Sequence, residues 1–121
     1  MKEKRSFPAI VLSTNTSSIT AIGNDYSYSE IFSRQVGGMC SEKDFVVGIS
    51  TSGNSKNVVE GLKKAREIGA FTLGLTGKSG GEVKKVAESC IRVDSDITPI
   101  IQEVHIAVIH MICYSFDEML E

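Results

Sequence analysis

The stretch Phe45-Val46-Val47-Gly48-Ile49-Ser50-Thr51-Ser52-Gly53-Asn54-Ser55 passes from a short unbroken apolar run to a loop of hydroxyl, amide and glycine residues. A run of this length suits a strand buried on both faces. From Asn57 the pattern becomes helical, with Val58, Leu62 and Ala65 on one face and a stop near Gly69. Strand, loop and helix in that order are the start of a parallel βαβ unit.

Working outward, the same alternation continues. Residues 71–75 supply another strand, 76–81 a glycine-rich loop, 82–88 a short helix, and Ile91-Arg92-Val93 a last short strand. On the other side, residues 9–12 form an apolar run, 18–22 a second short extended piece, and 28–36 a helix closed by Gly37-Gly38. After Pro99 the chain is apolar almost all round, through Ile100, Ile101, Val104, Ile106, Val108, Ile109, Met111 and Ile112. A helix of that kind needs burial on every side, in a larger core or between subunits. No repeat, low-complexity segment or dividing linker interrupts the chain, so residues 1–121 read as one α/β domain with a mainly parallel sheet.

Composition sets limits on function. Hydrophobic residues make up 41% and charged residues 23%, ordinary for a soluble domain, and the net charge of −2 lacks the basic footprint of a nucleic-acid binder. Cys40, Cys90 and Cys113 are three in number and form no CxxC unit, so reduced and mostly buried thiols are expected. Met1 to Arg5 is basic, but no long apolar run follows as in a secretory signal. The apolar stretches are interrupted short of a membrane span. A cytoplasmic protein without membrane or nucleic-acid partners is the expectation.

Ligands of open α/β sheets bind beyond the carboxyl ends of the strands, where the hydroxyl loop sits. A helix N-terminus brings free N–H groups and a positive dipole end, both suited to phosphate. Ser50, Thr51, Ser52 and Ser55 add four hydroxyl donors, Gly53 allows close backbone approach, and no lysine lies in the loop. The same residues also suit an ordinary N-cap turn, so the residues alone leave both readings open. Thr76-Gly77-Lys78-Ser79 ends like a P-loop, but that motif needs glycine where Thr72 stands, which excludes it.

At this loop the chain resembles the SIS (sugar isomerase) domain, and in particular the bacterial phosphoheptose isomerase family. The resemblance rests on four stretches in order. They are Phe7-Pro8-Ala9-Ile10; Ala21-Ile22-Gly23-Asn24-Asp25-Tyr26; the 50–55 loop with Leu75-Thr76-Gly77-Lys78; and Ile101-Gln102-Glu103-Val104-His105-Ile106 with His110. It implies an SIS-type three-layer sandwich, flavodoxin-like, whose first strand and N-terminal helices are absent here. It implies a sugar phosphate substrate and the interconversion of sedoheptulose 7-phosphate and D-glycero-D-manno-heptose 7-phosphate, a heptose precursor step. Substrate contacts fall on Asn24, Asp25, Ser50, Thr51, Ser52, Ser55 and Gln102. Catalytic roles fall on His110 and Gln102, which are also the family's zinc positions on this helix. Eight residues apart, the two lie about 80° from each other and can share a site. By pattern alone, Asn24-Asp25 is good turn chemistry and His110 a core histidine. His105, about 140° from His110, reads as structural or interfacial.

Two departures qualify the resemblance. The family's first strand with its glycine-rich loop, and the following helix with a histidine and a glutamate, have no counterpart here. Only part of the zinc ligand set is therefore present, since catalytic zinc takes three protein ligands. Pro99-Ile100 stands where many relatives carry an acidic residue and arginine. The expectation is a homo-oligomer, dimer or tetramer, whose isolated chain lacks activity. The alternative is a non-catalytic SIS module that binds sugar phosphates or replication-initiation proteins.

Overall fold

A computed structural model describes residues 6–119; the basic Met1 to Arg5 stretch lies outside them. Three parallel strands form the sheet in the order β1 (Phe45–Ser50), β2 (Phe71–Thr76), β3 (Ser89–Arg92). They are joined by α3 (Lys56–Ile68) and α4 (Val83–Val86), and followed by α5 (Thr98–Met119). Before the sheet lie α1 (Thr16–Asp25), a 3-10 turn (Tyr28–Glu30) and α2 (Ile31–Met39).

The two-residue period of β2 divides the core. Leu73 and Leu75 point to one face and meet Val108, Ile109 and Ile112 of α5. On the other face, Val59 and Leu62 of α3 pack with Val83, Ala87 and Val46. There, Val36 of α2 packs with Ala65 and Ala70. Helices on both sides of a parallel sheet give the three layers expected. Helix α3 is amphipathic as its spacing required and is closed by Gly69 at φ 96°.

The amino-terminal segment departs from expectation. Residues 18–22 are not extended but lie within α1, because the Asn15 side chain accepts the Ser18 N–H at 3.0 Å and caps it. Residues 9–11 form no strand and are exposed, while the Leu12 carbonyl accepts from Gln35 Nε2 at 3.0 Å. Helix α4 is shorter than 82–88, since Ala87 turns extended and the Glu88 N–H goes to Thr72 Oγ1 at 2.9 Å. Thr72, fully buried, thus has a side-chain role that a glycine could not fill.

Helix α5 runs unbroken for 22 residues. By length and composition it passes as a membrane span, because Gln102, Glu103 and His105 do not interrupt the helix as they interrupt the apolar run. Only one stripe of it, Ile101, His105 and Val108, is buried against β2 and the adjoining Gly77. Ile109 and Ile112 are half-buried beside this stripe, whereas Ile106, Met111, Tyr114 and Phe116 are exposed. Among the described residues the outer edge of β1 pairs with no strand, and Phe45, Val47 and Ile49 on one of its faces are exposed. Cys40 and Cys90 are half-buried free thiols, but Cys113 lies on the open side of α5 and is exposed, contrary to the expectation of buried cysteines.

Leu75 is fully buried where β2 meets α5. Leu75→Ala should lower unfolding free energy by about 2–4 kcal/mol, measured by denaturant titration; a cost near zero would show that α5 does not seal this face.

Candidate functional site

The hydroxyl loop follows β1 at its carboxyl end and is shaped from within by Ser50. This side chain is buried; its Oγ accepts the Gly53 N–H at 3.1 Å and lies 2.9 Å from Ser55 Oγ. Ser50 is thus committed to the loop's own geometry. Ser52 Oγ accepts the Asn54 N–H at 3.1 Å and keeps its own proton for donation. Thr51 is half-buried and Ser55 exposed. The loop turns at Gly53, φ 71°, where a Cβ would overlap the carbonyl of Gly80.

Ser55 occupies the N-cap of α3 but makes no side-chain cap bond. In the first turn of α3 the Val58 N–H donates to Asn57 Oδ1 at 2.8 Å, which leaves the Lys56 and Asn57 N–H groups near the Ser55 end of the loop. The residues alone left capping and anion binding as equal readings, and the Ser55 hydroxyl itself does not cap α3.

A second loop clamps the first. Gly77 N–H donates to the Thr51 carbonyl at 2.9 Å, Val83 N–H to the Gly53 carbonyl at 2.9 Å, and Glu82 N–H to Asn54 Oδ1 at 3.1 Å. Asn54 is thus a structural link that sequence reading passed over, because nothing in its spacing points to Glu82. An open hollow of about 600 Å³ lies between Asn54, Ser79, Gly81, Glu82, Lys84 and Lys85. On its rim Lys85 hydrogen-bonds the Glu82 carboxylate at 2.6 Å and holds that carboxyl below the usual carboxylate range.

The other expected residues stand apart from this loop. Asn24 and Asp25 close α1, exposed, with Asn24 Nδ2 donating to Asp25 Oδ1 at 2.9 Å. Among the described residues no hydrogen bond joins them to the loop. Gln102 and His110 are both exposed on α5. Measured round the helix from Ile101, whose side chain covers Gly77, Gln102 lies about 100° away and His110 about 180°. His110 thus faces away from the sheet, and any site it shares with Gln102 opens outward. His105 is buried, with Nε2 2.9 Å from the Thr76 carbonyl oxygen, so its structural reading holds.

No group of three or more His, Cys, Asp or Glu side chains suited to a metal ion occurs among the described residues. Gln102 and His110 supply two donors on an open helix face and no third. The residues present do not by themselves fit a catalytic zinc site.

Comparison with known proteins bears on the whole arrangement. The chain is 62% identical over 118 residues to a probable phosphoheptose isomerase of Thermoplasma acidophilum, covering 98% of the chain and 65% of that protein. It is 49% identical over 119 residues to the phosphoheptose isomerase of Aquifex aeolicus, covering 98% of the chain and 62% of that protein. The phosphoheptose isomerase structure from Neisseria gonorrhoeae superposes with a TM-score of 0.85 at 42% identity, over 88% of this chain and 60% of that one. That from Francisella tularensis gives 0.89 at 36%, over 92% and 60%. The chain therefore spans about 60–65% of the length of these relatives. Residues 2–77 match the SIS domain family, and with the parallel three-layer fold and the hydroxyl loop in place, this chain belongs to it.

Proposed function

We propose that this chain, as one partial SIS domain, carries the phosphosugar-binding part of a heptose-phosphate isomerase. That enzyme interconverts sedoheptulose 7-phosphate and D-glycero-D-manno-heptose 7-phosphate in the cytoplasm. The observation that supports it most is the N-terminus of α3, uncapped by Ser55 and ringed by hydroxyls. Phosphate oxygens there would accept from α3 backbone N–H groups and from Thr51, Ser52 and Ser55, with the helix dipole adding favourable charge. Ser50 shapes the cradle rather than lining it. Asn24, Asp25 and Gln102 are the proposed contacts to the sugar.

Aldose–ketose isomerisation moves a proton between adjacent carbons through an enediol-like state, which suits a group titrating near neutrality. His110 is the proposed acid-base residue. Its outward direction requires that the site be completed by groups outside this chain. The family's zinc would likewise need donors beyond Gln102 and His110, and no step is assigned to it here. Exposed apolar residues on α5 and on the β1 face support assembly into a dimer or tetramer. The same outward histidine favours a second reading, in which the chain is a non-catalytic module that binds sugar phosphate.

Turnover of sedoheptulose 7-phosphate, assayed with and without zinc in a longer chain that also carries the family's first strand and its histidine- and glutamate-bearing helix, separates these readings: binding without turnover there selects the second. Ser52→Ala should weaken sugar phosphate binding by about 1.5–3 kcal/mol under both, measured by calorimetry. In that longer chain His110→Ala should abolish turnover while leaving the binding constant within about threefold, and undiminished turnover would remove it from the chemistry. Light scattering should report at least a dimer; a monomer at all concentrations would contradict the assembly.

A further inference from the structure

The peptide group between Thr76 and Gly77 is held from both sides. Its carbonyl accepts the Val93 N–H at 2.9 Å and His105 Nε2 at 2.9 Å. A carbonyl oxygen only accepts, so His105 Nε2 carries the proton. The N–H of the same peptide donates to the Thr51 carbonyl at 2.9 Å, inside the hydroxyl loop. One rigid plane thus joins α5 to the loop, and turning it would break bonds at both ends.

His105 is 2% exposed, and its other ring nitrogen, Nδ1, is buried without a partner. Burying a bare ring nitrogen is unfavourable, and an apolar side chain would fill the space without that penalty. The Nε2 bond is what the histidine supplies in return. Packing alone does not explain it, since Ile101 and Val108 already seat α5 on β2 and the adjoining Gly77.

We infer that His105 is a positioning residue for the phosphate cradle: its Nε2–H fixes the Thr76–Gly77 peptide plane, and through the Gly77 N–H that plane fixes Thr51. Chains of hydrogen bonds polarise one another, so the Nε2 bond also strengthens the Gly77 N–H as a donor. Histidine thereby couples the seating of α5, which carries Gln102, to the shape of the loop at the end of β1. The effect on ligand binding rests on the function proposed above, whereas the effect on the peptide plane does not.

The test uses the intact protein with His105→Leu, His105→Gln and His105→Asn. Glutamine places an amide N–H₂ as far from Cα as Nε2, whereas asparagine falls short of it. Hydrogen exchange of the Gly77 amide reads the plane directly. It should speed by about three- to tenfold in the Leu and Asn variants, against unchanged exchange in the β1–β2 ladder, and return to wild type in the Gln variant. The dissociation constant for sedoheptulose 7-phosphate should follow the same order, weakening by about three- to tenfold and being restored by glutamine. If the Leu variant does not fold, the Gln and Asn pair decides alone. Unchanged Gly77 exchange in the Asn variant, or loss of protection spread evenly over the sheet, would overturn the inference. A wild-type protein that binds no sugar phosphate would instead defeat the functional reading, with Gly77 exchange still deciding the role of His105.

Discussion

Everything at the carboxyl end of the sheet hangs on how the Thr76–Gly77 peptide is oriented. A peptide group offers one donor and one acceptor with two lone pairs, and here each is engaged. Its partners come from the hydroxyl loop, the residue after β3, and α5, which are separate in sequence and share no other tie of this kind among the described residues. Gly77 can stand there only because it has no side chain, for a Cβ would collide with Ile101. A small residue, a buried histidine and a backbone carbonyl together let α5 lie close over the end of β2.

The same constraint helps hold the hydroxyl loop in shape through the chain's own hydrogen bonds. Ser50 organises it from within, and the Gly77, Glu82 and Val83 amides hold it from outside. Short polar loops bind poorly when they must be ordered at the moment of binding, because the conformational entropy lost offsets the new hydrogen bonds. A backbone fixed in this way lowers that cost for any ligand of the loop. One proton of the Ser50–Ser55 hydroxyl pair goes to this internal order.

Much of the fold was legible in the sequence because it is carried by local pattern. Strand β1, helix α3 with its Gly69 stop, and strand β2 were each marked by an apolar run or a helical period of adequate length. Residues 18–22 misled because Ile19, Ala21 and Ile22 suit either state, and the deciding contact was the Asn15 cap. The candidate site was legible as a loop but not as a network. The bond from Glu82 to Asn54 spans 28 positions and that from His105 to Thr76 spans 29, and no periodicity carries information over such gaps. The outward direction of His110 was hidden for another reason: the helical angle between two residues is readable from sequence, but which face the sheet takes is settled by Ile101, His105 and Val108.

The uncovered side of β1 has a consequence for how the chain behaves in solution. Among the described residues no strand lies beside the backbone N–H and C=O groups of its outer edge, and Phe45, Val47 and Ile49 line one adjoining face. Proteins that leave an edge open commonly guard it with charge, proline or a bulge. Phe45–Ser50 has none of these and is instead smooth, apolar and β-prone. Left bare, such an edge templates growth of the sheet by further chains, so the segment best suited to seat a neighbour is also where uncontrolled aggregation would begin.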